Sequence, residues 1–232
     1  MIRAILFDFN GVIIDDEPLQ MQAYQDVLGA EGVALTEADY YSCLGMDDVT
    51  FARAAFERAG REATEEQSRK VIEAKTAKHR ELIKDELPLF PGVVTFVKSC
   101  ARQWPLGLVS MARRTEIDHV LERAGLAQSF AAIVSAEDVH ACKPDPACCL
   151  RALELLREHL RLKNRPALAA SECLVVEDSP PGIEAARAAG MRTLGVTNTV
   201  AESRLRGAGA HVVTRSLADW TPDAVYHVFS KR

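Results

Sequence analysis

A carboxylate, Asp8, directly follows the apolar run at residues 2–7, within the stretch Asp8-Phe9-Asn10-Gly11-Val12. Short branched apolar runs that end at a glycine turn are typical of buried parallel strands. In open α/β sheets the chemistry takes place at the carboxyl ends of such strands. A carboxylate in that position can attack phosphorus, attack carbon or bind a metal ion.

Three other groups of reactive side chains follow apolar runs in the same way. Ser110 and Met111 come after residues 106–109, Lys143 lies beyond a run at 130–135, and Glu177 and Asp178 follow residues 173–176. Each signal is ambiguous alone, because serines often cap helices, Lys-Pro pairs often form surface turns and acidic pairs are often solvated. At successive strand ends, however, the four groups fit one phosphoryl-transfer site.

The acidic members of this set predict a nucleophile and a metal site. Attack by Asp8 on phosphorus would give an aspartyl-phosphate, which divides one difficult step into two easier ones. Two anions must then meet, so a divalent cation is needed to screen and orient them. Asp8 and Asp178, with Glu177 nearby and the carbonyl of Asn10, offer hard oxygen ligands, which suit Mg²⁺.

The remaining members predict a phosphate-binding side to the same site. Ser110 and the amides that follow it, beginning with Met111, can donate hydrogen bonds to phosphate oxygens at a helix start. Lys143 can neutralise the remaining negative charge and hold Asp8 in line.

The ordered motifs resemble a known family. They are Asp8-Phe9-Asn10-Gly11-Val12, Asp15-Asp16-Glu17-Pro18, Ser110, Lys143-Pro144 and Val176-Glu177-Asp178-Ser179-Pro180-Pro181-Gly182-Ile183. Essentially the whole chain is similar to the haloacid dehalogenase superfamily, in its β-phosphoglucomutase-like phosphatase branch. The resemblance implies that Asp8 is the nucleophile and a metal ligand and that Asp178 is a metal ligand. It further implies that Glu177 is a ligand or supports the ligands, that Ser110 binds phosphate and that Lys143 stabilises charge.

Asn10 departs from the pattern of that family. Most of its phosphatases carry an aspartate there, which protonates the leaving oxygen and later activates water; such catalysis contributes roughly 10²–10⁴-fold. An amide cannot transfer that proton, although its backbone carbonyl can still bind the metal. Three explanations stay open: an engineered substitution that traps a complex, a natural slow or specialised enzyme, or a catalytically impaired protein that only binds phosphoesters.

Two related chemistries find no support in these residues. Metal-free dehalogenases lack the acidic pair retained here at Glu177 and Asp178, and phosphonoacetaldehyde hydrolases use a cap lysine that residues 44–48 do not supply. Family mutases carry a histidine where this chain has Gln20. The glutamine at this place favours a phosphatase acting on a small phosphorylated metabolite over a β-phosphoglucomutase-type mutase, which remains the alternative. The turn at residues 45–48, with its acidic pair, is predicted to contact the substrate, and Asp47 is equally suited to capping a helix.

The elements that must position these groups form two domains. Residues 1–16 and 88–232 alternate between strand and helix patterns, which predicts a doubly wound parallel α/β sheet with right-handed crossovers. Residues 17–87 are helical throughout and are predicted to form an inserted cap domain, with capping boxes at Thr36 and Thr64. A cap joined by two short linkers can close over the strand ends.

The composition places further limits on function. The chain has 232 residues, a formal net charge of −5 and 48% hydrophobic residues, which are ordinary values for a globular protein. The negative charge argues against nucleic acid or anionic membranes as partners. Scattered cysteines and the lack of a signal peptide or membrane span predict a reduced cytoplasmic protein, which we expect to be a monomer or weak homodimer. The six histidines show no metal-binding spacing and are expected at the surface or in packing.

Overall fold

A parallel sheet of six strands lies at the centre of the computed structural model, which describes residues 1–230. The strands lie in the order β3-β2-β1-β4-β5-β6, and every neighbouring pair is parallel. β1 and β2 are fully buried, as their continuous apolar sequences predict. The strands are β1 (Ala4–Phe7), β2 (Leu106–Val109), β3 (Ala132–Val134), β4 (Cys173–Glu177), β5 (Arg192–Val196) and β6 (Val212–Thr214).

The strand order reverses between β1 and β4. From β1 the chain moves outward to β2 and β3, then crosses the sheet to β4 and continues outward to β5 and β6. In sheets of this kind, ligands bind in the crevice at the carboxyl ends of the strands that flank such a reversal. Asp8 follows β1 and Asp178 follows β4, so the topology brings these two carboxylates to that crevice.

Helices cover both faces of the sheet, as expected for a doubly wound fold. Side chains of α5, α6 and α10 pack on one face around Phe7 and Phe96, while those of α7 and α8 pack on the other around Leu6 and Leu156. The core helices are α5 (Val93–Ala101), α6 (Arg114–Arg123), α7 (Ala147–Leu162), α8 (Pro180–Ala188), α9 (Glu202–Gly207) and α10 (Pro222–Ser230).

Four helices lie between β1 and α5 and have a hydrophobic cluster of their own. Tyr24, Leu28, Phe51 and Phe56 belong to this cluster, and Tyr24 stacks on Phe51. The predicted capping boxes are confirmed at the starts of the second and fourth of these helices. The helices are α1 (Glu17–Ala30), α2 (Glu37–Tyr41), α3 (Asp48–Arg58) and α4 (Glu65–Leu82).

The predicted fold class is confirmed, while several element boundaries were wrong. The pattern of residues 182–189 predicts a helix, but α8 begins earlier, at Pro180, because prolines are tolerated in the first turn of a helix. The strand predicted at 130–135 is only Ala132–Val134. β6, α9 and α10 were not predicted, because β6 and α9 are too short for a clear periodicity. Within residues 1–230, no helix combines the length and apolarity that a membrane crossing requires.

Candidate active site

Lys143 joins two carboxylates from separate strands at the centre of the site. Its Nζ lies 2.9 Å from Asp8 Oδ1 and 2.8 Å from Glu177 Oε2, and all three side chains are largely or fully buried. The charges of Asp8 and Glu177 outweigh the effect of burial and hold the pKa of Lys143 well above its usual range. Lys143 is therefore a fixed cation beside Asp8, in the position that the sequence predicted.

Three buried carboxylates, including that of Asp8, lie close together. Asp8, Glu177 and Asp178 each offer an oxygen within 4.8 Å of the others. Burial, followed by repulsion from Glu177, raises the pKa of Asp8 to about 8. Burial and repulsion from Glu177 and Asp8 also raise the pKa of Asp178 well above its usual range. A hard divalent cation would relieve this repulsion, so the donor set fits such an ion.

The two predicted acidic ligands at the end of β4, Glu177 and Asp178, differ in their hydrogen-bond and ion-pair partners. Glu177 uses both oxygens within the protein: Oε2 accepts from Lys143, and Oε1 accepts from Ser179 Oγ at 2.7 Å. Burial would raise the pKa of Glu177, but the charge and hydrogen bond of Lys143 outweigh it and lower that pKa. Asp178 has no lysine or arginine partner among the described residues, and its carboxylate accepts a hydrogen bond from Thr199. Asp178 is thus better placed than Glu177 to bind a cation directly.

Gly11 allows Asp178 to approach the turn after β1. A Cβ atom at position 11 would lie 1.9 Å from Asp178 Oδ2, and the φ angle of Gly11 is +73°. Both the close approach and the left-handed backbone require glycine here. The carbonyl of Gly11 also accepts a hydrogen bond of 2.7 Å from Asn198, in the loop after β5. The turn after β1 is therefore held against the loops after β4 and β5.

Gly182 makes room for Glu177 in the same way, which leads to a stability prediction. A Cβ atom at position 182 would lie 2.0 Å from the carboxyl carbon of Glu177. We expect Gly182→Ala to lower the free energy of unfolding by about 1–3 kcal/mol, as overpacked cores do. Gly29→Ala is the matched control, because Gly29 lies in α1 with open space around it. Gly29→Ala should raise the free energy of unfolding by about 0.5–1 kcal/mol, because glycine within a helix is less stable than alanine. Urea unfolding of both variants tests this, and equal shifts would contradict it.

The predicted phosphate-binding residues lie at the end of β2. Ser110 is buried, and its Oγ accepts a hydrogen bond of 3.0 Å from the amide of Ala112. Because that bond uses an acceptor lone pair of the hydroxyl, the Ser110 proton is free to point into the cleft. Ser110, Met111, Asp8 and Lys143 all line one cleft. Ser110 and Met111 thus form one wall of the cleft that contains Asp8.

Asn10 lines the cleft and belongs to a polar network whose other members are buried. Its Nδ2 donates to both oxygens of Asp16, each at 3.0 Å. Asp16 also accepts from Gln20 Nε2 at 3.0 Å and lies 2.8 Å from His79 Nε2. His79, predicted to be a surface or packing residue, is buried and paired with Asp16. These contacts fix the orientation of the Asn10 amide.

A second buried lysine, Lys75, which the sequence analysis missed, also lines the cleft. Lys75 Nζ is 3.1 Å from Asp48 Oδ1 and 3.2 Å from Glu116 Oε1. Tyr24 donates a hydrogen bond of 2.6 Å to Asp48. Lys75 and Asp48 belong to α4 and α3, whereas Glu116 belongs to α6 of the core. The ion pair of Lys75 and Glu116 therefore links the helical insertion to the core across the cleft.

The insertion covers the cleft, which encloses about 100 Å³. Gly45 packs so closely on the core that a Cβ there would lie 2.9 Å from Pro181 and 3.1 Å from Lys143. Asp48 lines the cleft, while Asp47 caps α3 by accepting from the amide of Thr50 at 2.7 Å. The acidic pair of the predicted substrate-contacting turn is therefore divided between capping and the cleft.

Comparisons with known proteins find relatives along nearly the whole chain. A family model described as haloacid dehalogenase-like hydrolase matches residues 2–190. Hexitol phosphatase B of Escherichia coli (strain K12) is 30% identical over 227 residues, covering 95% of both chains. The chloroplastic protein SUPPRESSOR OF QUENCHING 1 of Arabidopsis thaliana is 32% identical over 219 residues, which is 91% of this chain but only 19% of that longer protein. Among solved structures, β-phosphoglucomutase from Clostridium difficile shares the fold with a TM-score of 0.85, at 22% identity over 100% of this chain and 98% of that one.

Proposed function

Because the chain belongs to the haloacid dehalogenase-like hydrolases, we propose that it is a magnesium-dependent phosphatase in which Asp8 is the nucleophile. The observation that carries this proposal is the contact of 2.9 Å between Lys143 and Asp8, beside the carboxylates of Glu177 and Asp178. Such an arrangement holds a carboxylate in place and surrounds it with groups that bind a cation. Hexitol phosphatase B, which aligns along nearly its whole length, is named for the same reaction class.

Each of these residues of the cleft has its own role in phosphoryl transfer. Asp8 attacks phosphorus, and Lys143 stabilises the negative charge that gathers on the transferring group. Ser110 and the amides after it donate to the phosphate oxygens. The metal would be held by Asp8, Asp178 and the carbonyl of Asn10, with Glu177 as a further predicted ligand that also positions Lys143. When bound, Mg²⁺ would screen the repulsion between the phosphate and these carboxylates.

The proposed substrate is a small phosphate monoester that carries several hydroxyl groups. Gln20 and Asp48 line the cleft, and each has a buried acceptor atom, Gln20 Oε1 and Asp48 Oδ2, with no hydrogen-bond partner within residues 1–230. Buried acceptors of this kind favour ligands that donate hydrogen bonds. The name of hexitol phosphatase B is in line with a polyol phosphate.

A mutase is the second candidate, and the cleft offers it less support. A mutase must also accept a second phosphate at the far end of the cleft. Apart from Lys143, the described lining residues include one lysine, Lys75, and its charge is already paired with Asp48 and Glu116. Gln20 also stands where family mutases carry a histidine. Both features favour transfer of the phosphoryl group to water.

Magnesium dependence tests the proposed function directly. We expect hydrolysis of p-nitrophenyl phosphate and of sorbitol phosphate to require Mg²⁺ and to stop when EDTA is added. Mg²⁺ should also raise the melting temperature, because an ion that binds only the folded state stabilises it. Asp178→Asn should lose both effects, while Asp145→Asn, at an acidic residue outside the cleft lining, should keep them. Hydrolysis unaffected by EDTA would contradict the proposal, and thermal stabilisation by the sugar phosphate without turnover would favour a phosphoester-binding protein.

A further inference from the structure

Asn10 leaves the proposed phosphatase without a proton donor in the usual place. A poor leaving group such as an alkoxide must receive a proton as its bond to phosphorus breaks, and an amide cannot supply one. The Nδ2 of Asn10 is held by Asp16 at 3.0 Å, so this side chain is also fixed in orientation. Another group that lines the cleft must carry the proton if alkyl phosphates are to be hydrolysed.

The other carboxylates of the cleft are already engaged. Asp8 and Asp178 belong to the nucleophile and metal site, while Asp48 and Glu116 are ion-paired with Lys75. Asp16 is completely buried beneath the cleft, where Asn10, Gln20 and His79 surround its oxygens. Among the described residues that line the cleft, these engagements leave one further carboxylate, that of Glu17.

Glu17 has the surroundings of a carboxyl group that can exchange protons. It is the first residue of α1, and its Oε2 accepts a hydrogen bond of 2.6 Å from the hydroxyl of Tyr40. It forms no ion pair with a described lysine or arginine. Burial, followed by the charge of Asp16, raises the pKa of Glu17 to about 7. The other titratable groups around it are Tyr40, Tyr41, Lys75, Glu177 and Asp178.

We propose that Glu17 is the general acid and base of this enzyme and replaces the aspartate that is missing at position 10. This inference rests on the proposed phosphatase function. In the first step an Asp8 oxygen bonds to phosphorus as the ester P–O bond breaks, and the leaving oxygen takes the proton of Glu17. In the second step ionised Glu17 takes a proton from water, and the water oxygen bonds to phosphorus. The bond between Asp8 and phosphorus then breaks, which releases inorganic phosphate and restores both carboxyl groups.

The experiment compares wild type with Glu17→Gln, Asn10→Asp and the double variant, using sorbitol phosphate and p-nitrophenyl phosphate with Mg²⁺. Glu17→Gln should lower kcat on sorbitol phosphate by about 10²–10⁴-fold. It should hardly change the initial burst of p-nitrophenolate, a leaving group that needs no proton. The double variant should recover kcat to within about tenfold of wild type, because the aspartate introduced at position 10 can donate the proton. In wild type, kcat on sorbitol phosphate should change with pH around the pKa of Glu17, about 7, and this change should disappear in Glu17→Gln.

Glu37→Gln is the matched control, because Glu37 is an exposed glutamate at the first position of another cap helix, α2. It should behave as wild type. If Glu17 only supported the cap, Asn10→Asp would not rescue Glu17→Gln, and the proposal would be wrong. It would also be wrong if Glu17→Gln left kcat unchanged. Failure of the proposed function gives a different pattern, in which neither wild type nor Asn10→Asp releases phosphate from either ester.

Discussion

Asp8→Asn is expected to abolish hydrolysis, lowering kcat on p-nitrophenyl phosphate by about 10⁴-fold or more, as removal of a covalent nucleophile does. The amide has nearly the shape of the carboxylate but cannot form the acyl-phosphate. The fold should survive, because burial and repulsion from Glu177 already disfavour the ionised form of Asp8. In metal-free buffer the melting temperature of this variant should therefore equal or exceed that of wild type.

Asp15→Asn provides the control for the loss of a carboxylate in the same segment, since Asp15 is exposed. It should retain wild-type turnover. Acid quenching during turnover should trap phosphate on wild type and on Asp15→Asn, and none on Asp8→Asn. Phosphate that remained covalently bound in Asp8→Asn would place the nucleophile at another residue.

The groups that directly follow strands were the part of the site that the sequence could predict. A parallel sheet brings the carboxyl ends of its strands to one edge, so Asp8, Ser110 and Asp178 are placed together once their strands are recognised. Lys143 is further from its strand, yet its contact with Asp8 was also expected. The catalytic and metal-binding roles of these residues stay predictions, whereas their proximity is a property of the structure.

The contacts of Lys75 in the cleft could not be predicted from the sequence. Lys75 and Glu116 lie 41 residues apart on helices of different layers, and each resembles a solvated surface residue. The sequence of α4 is mostly polar, yet Ser68, Lys75 and His79 of that helix are buried. Periodicity identifies a buried face by its apolar residues. A buried face made of polar residues gives no such signal, and its partners become visible only in three dimensions.

The same limitation applies to Glu17 and Asn10. The sequence showed that Asn10 lacks a transferable proton, but it gave no means of finding a replacement. Glu17 was part of a recognised motif, and only the fold reveals that it lines the cleft with Tyr40 as its hydrogen-bond donor. A departure from a family motif is thus best interpreted together with the side chains that surround it.

The two buried lysines form a natural pair for a last prediction. Lys143 holds Asp8 and Glu177, and Lys75 holds Asp48 and Glu116, each with both partners between 2.8 and 3.2 Å. Replacing either lysine with methionine leaves two buried carboxylates without their cation. We expect each variant to lose about 3–5 kcal/mol of unfolding free energy, as happens when one partner of a buried ion pair is removed. Urea unfolding in metal-free buffer measures this loss.

Activity should separate the two variants even though their stabilities fall together. Lys143 contacts the nucleophile, so Lys143→Met should lower kcat on p-nitrophenyl phosphate by about 10²–10³-fold, the usual effect of losing one preorganised charge-stabilising donor. Lys75 is paired with Asp48 and Glu116 rather than with the nucleophile, so Lys75→Met should change that kcat by less than about tenfold and act mainly on the KM for sorbitol phosphate. Both assays must be run at a temperature where the variants are folded. An unchanged kcat in Lys143→Met would contradict this prediction, because the charge that Lys143 places beside Asp8 would then contribute nothing to the transition state.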